Sequence, residues 1–251
     1  YYLYDRRHHG AKWGLGAHQW AQLTTRDLRT WTMQPMAVGI RDASEGSICT
    51  GSVLRSGETY HAYFAVRSCD GSPARLTSAV SADGVHFTRR DCAFTLPEPY
   101  DGPSARDPNE GEGFAMLVTT SLGRQGCLAR LTSRDLEHWT LAEPELLTPD
   151  IQPECPDRFR FAGRDYLVYG QSGTTHYRIR NARTGAWEEP EGGDVIVDRS
   201  LRVPKAAVWQ GRLIVAGFVL DPADAEWGGV MRLYEGFADE RGTLRFEEPG
   251  V

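Results

Sequence analysis

The stretch Thr25-Arg26-Asp27-Leu28-Arg29-Thr30-Trp31 decides the fold, because the chain repeats it. Ser133-Arg134-Asp135-Leu136-Glu137-His138-Trp139 is a close copy, and Ser81-Ala82-Asp83-Gly84-Val85-His86-Phe87 a looser one. Two weaker copies follow: Asn181 to Trp187 keeps a Thr184-Gly185 turn before its aromatic, and Asp239 to Phe246 keeps Arg241-Gly242. The closing aromatics stand at 31, 87, 139, 187 and 246, in steps of 56, 52, 48 and 59 residues. A period of that size marks stacked supersecondary units, none of which can bury its apolar face alone. The motif residues read as structural: Asp caps a tight turn, and the aromatic packs between neighbouring units.

Between the copies lie short runs rich in β-branched and aromatic residues, bounded by Gly, Pro, Asp and Asn. Tyr60 to Val66, Phe114 to Thr120, Tyr166 to Gln171 and Arg212 to Val219 are the clearest. This pattern predicts several strands per unit. No segment carries a long apolar stripe at helical period, so the crossover helices of a parallel α/β sheet are not expected. Five copies near 50 residues predict an all-β, five-bladed β-propeller, with residues 1–251 as a single domain.

Composition narrows the function. The 251 residues include 28 Lys+Arg against 34 Asp+Glu, a net charge of −6, which argues against a nucleic-acid partner. Apolar residues make up 40% and charged residues 25%, as in globular domains. No apolar run approaches the ~20 residues of a membrane-spanning helix, so no membrane partner is expected. Cys49, Cys69, Cys92, Cys127 and Cys155 form no C-x-x-C pair, and the seven histidines show no helix-borne ligand spacing, so neither a metal nor another cofactor is expected. An odd set of scattered thiols tilts the expected compartment toward a reducing one, the cytoplasm.

In a propeller the innermost strand of each blade lines the central channel. The repeat places these strands at Ser47 to Leu54, Ala105 to Asn109, Glu154 to Phe161 and Val203 to Trp209. Tyr1 to Asp5 matches the second strand of its unit, so the innermost strand of the first unit is expected upstream. Two inner strands carry Arg106-Asp107-Pro108 and Glu154-Cys155-Pro156-Asp157. Charges aimed at a narrow axis need partners or a purpose. They form either an ionic plug or a catalytic set, since crowded carboxylates shift one another's pKa and so supply an acid and a base.

Trp20-Ala21-Gln22 leading into the first turn, then Cys49-Thr50-Gly51-Ser52, Arg106-Asp107-Pro108 and Glu154-Cys155-Pro156-Asp157 occur in the order and spacing of glycoside hydrolase family 32. The chain resembles an invertase or fructanase propeller over roughly residues 1 to 235. The resemblance implies a retaining β-fructofuranosidase-type hydrolase whose partner is a small carbohydrate, of the sucrose or fructan type. Asp107 matches the family's transition-state stabiliser, which holds the fructosyl hydroxyls, and Glu154 matches its general acid/base. Arg106 would keep Asp107 ionised. The family's nucleophile, an Asp on the first inner strand, has no match here; Asp5 falls on the second strand and is not a substitute. The family's C-terminal β-sandwich is not expected in this stretch.

Supporting subsite candidates are His18, Trp20, Thr50 and Ser52, with Trp227 as a rim wall. An aromatic face stacks on a sugar ring and hydroxyls read its oxygens. Trp20 reads equally as blade packing, and Trp227 as a turn or packing residue. Lys205 is either a carboxylate partner or a substrate contact. Asp157, three residues after Glu154 on one strand, is expected on the opposite face as a structural partner. Two rivals stand beside the hydrolase: an inverting arabinanase- or xylosidase-like enzyme, and a sugar-binding propeller without catalysis.

Overall fold

The computed structural model describes residues 1–4, 18–111, 113–197, 201–220 and 229–249, with side chains for all of these except residues 4 and 101–113. Every regular element among the described residues is a strand. β1 (Tyr2–Tyr4) pairs with β2 (Gln19–Ala21), and β3 (Leu23–Thr25) pairs with β4 (Trp31–Met33). Four antiparallel sheets of four strands follow. The first is β5 (Glu45–Ser56), β6 (Thr59–Ser68), β7 (Arg75–Ser81) and β8 (Thr88–Phe94). The second is β9 (Tyr100–Gly111), β10 (Gly113–Leu122), β11 (Gln125–Ser133) and β12 (Thr140–Thr148). The third is β13 (Glu154–Phe161), β14 (Arg164–Gln171), β15 (Thr174–Arg180) and β16 (Trp187–Glu188), and the fourth is β17 (Arg202–Trp209), β18 (Arg212–Leu220), β19 (Gly229–Ala238) and β20 (Leu244–Glu247). Each is a meander in chain order, the form that short strands joined by tight turns adopt.

The four inner strands expected from the repeat are thus β5, β9, β13 and β17. The largest difference is at β9, which runs several residues beyond the expected Ala105 to Asn109 at its N-terminal end. None of the five cysteines is in a disulfide.

The chain divides into two compact units, residues 1–123 with 131–140, and residues 124–130 with 141–251. Each has its own core. In the first, Trp20, Val38, Ile48, Phe64 and Val66 form a buried cluster. In the second, Tyr166, Val168, Tyr177, Ile196, Leu213 and Val215 do so. Alternate residues of middle strands enter both clusters: Phe64 and Val66 of β6, Tyr166 and Val168 of β14, and Leu213 and Val215 of β18.

The repeated motif builds the turn expected of it. Asp27 Oδ1 accepts the amides of Arg29 (2.9 Å) and Thr30 (2.7 Å), and Thr25 Oγ1 accepts that of Leu28 (2.9 Å). Asp135 and Ser133 repeat these bonds to Glu137, His138 and Leu136, and Asp83 and Ser81 do so to Val85, His86 and Gly84. The residue before each pair of capped amides is left-handed: Leu28, Gly84 and Leu136 have φ of 60°, 73° and 64°.

A tyrosine of the preceding strand set then closes on the turn. Tyr1 donates to the Gly84 carbonyl (2.6 Å), Tyr63 to that of Leu136, and Tyr166 to that of Gly242 (2.9 Å). The motif aromatics join the same contact. Phe87 packs edge-on to Tyr1 and Trp139 edge-on to Tyr63, with ring centroids 5.7 and 5.3 Å apart.

Tyr63 is 3% exposed. Tyr63→Phe therefore strands the Leu136 carbonyl and should destabilise the protein by about 1 kcal/mol, read as a lower denaturant midpoint at unchanged slope. The turn aspartates carry a pH signature. Backbone amides of Thr30 and Arg29 hold the Asp27 carboxyl down to about 2, and Asp83 and Asp135 are lower still, Asp83 chiefly through the His86 side chain and Asp135 chiefly through the His138 amide. An unfolded Asp titrates near ~3.9, so the native state binds fewer protons in acid. This stabilisation is complete above about pH 4 to 5 and is lost as pH falls through the folded values. Melting curves between pH 7 and pH 2 should show a shallower acid decline for the Asp83→Asn, Asp135→Asn double variant than for the parent.

Candidate active site

Each of β5, β9, β13 and β17 carries a β-bulge against the strand that follows it. In β5, Ile48 pairs with Val66 and Gly51 with Phe64, so Cys49 and Thr50 stand opposite Ala65 alone. In β9, Arg106 pairs with Leu117 and Pro108 with Met116, leaving Asp107 as the extra residue. In β13, Glu154 pairs with Gly170 and Asp157 with Val168, and in β17 Arg202 pairs with Phe218 and Lys205 with Ala216. Bulges re-aim side chains and cluster beside active sites. In the last two strands the first inserted residue, Cys155 or Val203, is left-handed with φ of 51°, and the next is a proline, which has no N–H to leave unpaired. A β-branched residue at that φ is strained, and such strain persists only where the surroundings hold it.

The bulge corrects one expectation. Because Gly170 and Val168 are two residues apart on β14, Glu154 and Asp157 lie on the same face of the sheet, although three positions separate them. Their environments differ. Glu154 is solvent-exposed, whereas Asp157 is half-buried and its Oδ2 accepts the Ala206 amide at 2.7 Å. Lys205 Nζ donates to the Pro156 carbonyl at 3.0 Å. Burial raises the Asp157 carboxyl above the usual carboxylate range, against the pull of Lys205 and the amides of Ala206 and Arg158. Asp157 and Lys205 thus clamp β13 to β17 around the bulge that projects Glu154, and Lys205 is a partner of this strand pair.

The remaining candidates separate. Trp20 is 4% exposed, packs against Phe64 with ring centroids 5.4 Å apart, and donates its indole N–H to the Cys49 carbonyl at 2.9 Å. Gly51 explains the fit: a Cβ there would stand 2.8 Å from Trp20 Cζ2 and 2.0 Å from the Tyr63 carbonyl oxygen. Trp20 is therefore a packing residue that braces the β5 bulge, with no open face for a sugar. His18 is buried beside it, and its carbonyl accepts the Ile48 amide at 3.0 Å. Thr50 and Ser52 are half-buried on β5. Arg106 and Asp107 have their backbone in β9, but their side chains lie outside the described set, and Trp227 lies outside the described residues altogether.

Arg202 was missed by the sequence reading, which began this strand at Val203. Its signal was the pattern Arg202-Val203-Pro204-Lys205, which repeats Glu154-Cys155-Pro156-Asp157 with every charge reversed.

Four meanders of four short strands, each with a bulged first strand, make this an all-β propeller fold. Solved structures share it: the GH32 β-fructofuranosidase of Bombyx mori superposes with a TM-score of 0.75 at 16% identity, over 93% of this chain and 56% of its own. A sucrose-6-phosphate hydrolase from Lactobacillus gasseri does so with the same score and identity, over 93% and 55%. The family model for the glycosyl hydrolases family 32 N-terminal domain matches residues 1–191, and the chain belongs to that family. Among curated relatives, a probable sucrose-6-phosphate hydrolase of Psychromonas ingrahamii is 30% identical over 166 residues, 61% of this chain and 30% of that protein. The sucrose-6-phosphate hydrolase of Bacillus subtilis is 27% identical over 64% of this chain and 36% of its own. That of Escherichia coli is 25% identical over 95% and 57%. The chain thus spans 30% to 57% of the length of these relatives.

The contrast between the two carboxylates is measurable. Asp157→Ala removes a half-buried, charge-assisted bond and should lower stability by about 2 kcal/mol, whereas Glu154→Gln, at an exposed position, should leave the melting temperature within a degree of the parent. Equal destabilisation by the two variants would contradict the division of labour drawn here.

Proposed function

We propose that this chain forms the sugar-cleaving part of a retaining β-fructofuranosidase-type glycoside hydrolase, acting on sucrose, free or phosphorylated, or on related fructans. The observation that carries this reading is the placement of Glu154: an exposed carboxylate heading a bulged inner strand, in the E-C-P-D motif of a family 32 chain. In this reading Glu154 is the general acid that protonates the leaving oxygen and then the base that takes a proton from water. Asp107 stabilises the oxocarbenium-like transition state and holds fructosyl hydroxyls, and Arg106 keeps it ionised. Thr50 and Ser52 offer hydroxyls to the sugar, and Trp227 a wall. The covalent intermediate needs a nucleophilic carboxylate, which is assigned to no residue of this sequence. We also propose that residues 1–251 form a single five-bladed propeller domain. Five copies of the turn motif support this, as do the short pairs β1–β2 and β3–β4 preceding four complete sheets.

The test is fructose release from sucrose, sucrose 6-phosphate and inulin by the full-length natural protein and its Glu154→Gln variant. Loss of the acid/base should lower kcat by about 10²- to 10⁴-fold with the fold intact. Undiminished turnover in the variant would remove Glu154 from the mechanism. Absence of release from every furanoside by the parent would favour the sugar-binding propeller instead.

A further inference from the structure

Arg202 has no counterpart in the mechanism above. It is half-buried at the head of β17, yet among the described residues it makes no hydrogen bond or ion pair, and its Nε is fully buried without a partner. A guanidinium carries five donors and a permanent charge, and leaving it desolvated and unpaired is costly. The other arginines packed in this unit find acceptors: Arg130 and Arg158 reach Glu145, Arg178 reaches Asp194 and Glu189, and Arg212 reaches Glu235.

Its surroundings hold it in place. The β14–β15 hairpin turns through Ser172 and Gly173, both left-handed with φ of 52° and 73°. A Cβ on Gly173 would stand 2.5 Å from Arg202 Nη1 and 3.0 Å from Cζ, so the guanidinium lies flat against the bare turn. The backbone is pinned as well, since Thr175 Oγ1 donates to the Leu201 carbonyl at 2.6 Å. That hairpin begins one residue beyond Gly170, the pairing partner of Glu154. Arg202 and Glu154 also hold equivalent positions, each immediately before the bulge of its inner strand. The bulges are tied at one level by the bonds of Asp157 to Ala206 and Lys205 to Pro156. Arg202, with no partner among the described residues, therefore heads its inner strand at the same end as Glu154 heads β13.

Resting on the hydrolase reading, we propose that Arg202 is the anion-recognising residue of the substrate site, and that the anion is a phosphate monoester carried by a sucrose-type disaccharide. A planar guanidinium matches phosphate oxygens two at a time. In a chain of net charge −6, a dianionic substrate needs such a local cation.

The test measures equilibrium binding of sucrose, sucrose 6-phosphate and inorganic phosphate to the full-length protein by titration calorimetry, with fructose release followed on the same samples. The parent should bind sucrose 6-phosphate more tightly than sucrose, and Arg202→Gln should cut the ratio of the two affinities by about tenfold or more. Arg202→Lys keeps the charge but not the fork, and should give an intermediate ratio; its melting temperature reports that the fold survives. A parent without preference for the phosphorylated sugar, or a ratio that Arg202→Gln leaves unchanged, overturns the proposal. Inorganic phosphate binding as tightly as the sugar ester overturns the assignment of the anion to the substrate. If the ratio depends on Arg202 while no fructose is released, the anion site stands and the hydrolase reading falls.

Discussion

The β-bulge carried by each of β5, β9, β13 and β17 is the constraint on which the rest of this structure depends. A regular strand would send alternate residues to opposite faces, and the charged residues of β13 and β17 would divide between the sheet's two sides. Inserting one residue opposite Tyr169 and one opposite Gly217 keeps Glu154 with Asp157, and Arg202 with Lys205, on common faces. Proline after the left-handed Cys155 and Val203 suits the insertion, because the bulge has no ladder bond to offer its missing N–H. In each pair the second residue then bonds the neighbouring strand, and the first is the one to which a role is proposed.

The clamp between Asp157, Lys205 and the backbone of the opposite strand shows how strain is held. Left-handed geometry at Cys155 and Val203 is unfavourable on its own, at an order of 1–3 kcal/mol for each such residue. Two hydrogen bonds between β13 and β17, one to a carboxylate and one from an ammonium, restrain the bulges. In the other unit the same task falls to packing: the Trp20 indole lies against Gly51 and bonds the Cys49 carbonyl. Polar and apolar solutions thus support the same backbone device. The outer turns are secured by local chemistry, a Ser or Thr and an Asp capping three amides, and by a tyrosine reaching in from the preceding strands.

Much of this was legible in the chain. The turn motif announced its own hydrogen bonds, because Asp and Ser cap amides within three residues and need nothing distant. The inner strands were located nearly to the residue at β13, where β-branched, aromatic and turn residues follow a strict order. Glu154 was legible as a candidate through its motif, and the structure adds its exposure. Less legible were the side assignments. Asp157 was expected to face away from Glu154 by simple alternation, which fails wherever a residue is inserted. Trp20 could be a sugar platform or a brace from sequence alone, and burial among Phe64, Ile48 and Val38 decides for the brace. Arg202 is not marked by the sequence, because an arginine is ordinarily a solvated or paired surface residue, and nothing local says that this one has no acceptor among the described residues.

The sequence by itself determined the repeat, the strands, the capped turns and the carboxylate of the E-C-P-D motif, since all of these rest on interactions between residues close in the chain. Only the tertiary structure decided which charges are committed and which remain available. Commitment depends on what a segment 29 to 49 residues away presents: Asp157 and Lys205 find partners across β13 and β17, Trp20 finds Gly51, and the Arg202 guanidinium finds the bare backbone of Gly173 and no acceptor among the described residues.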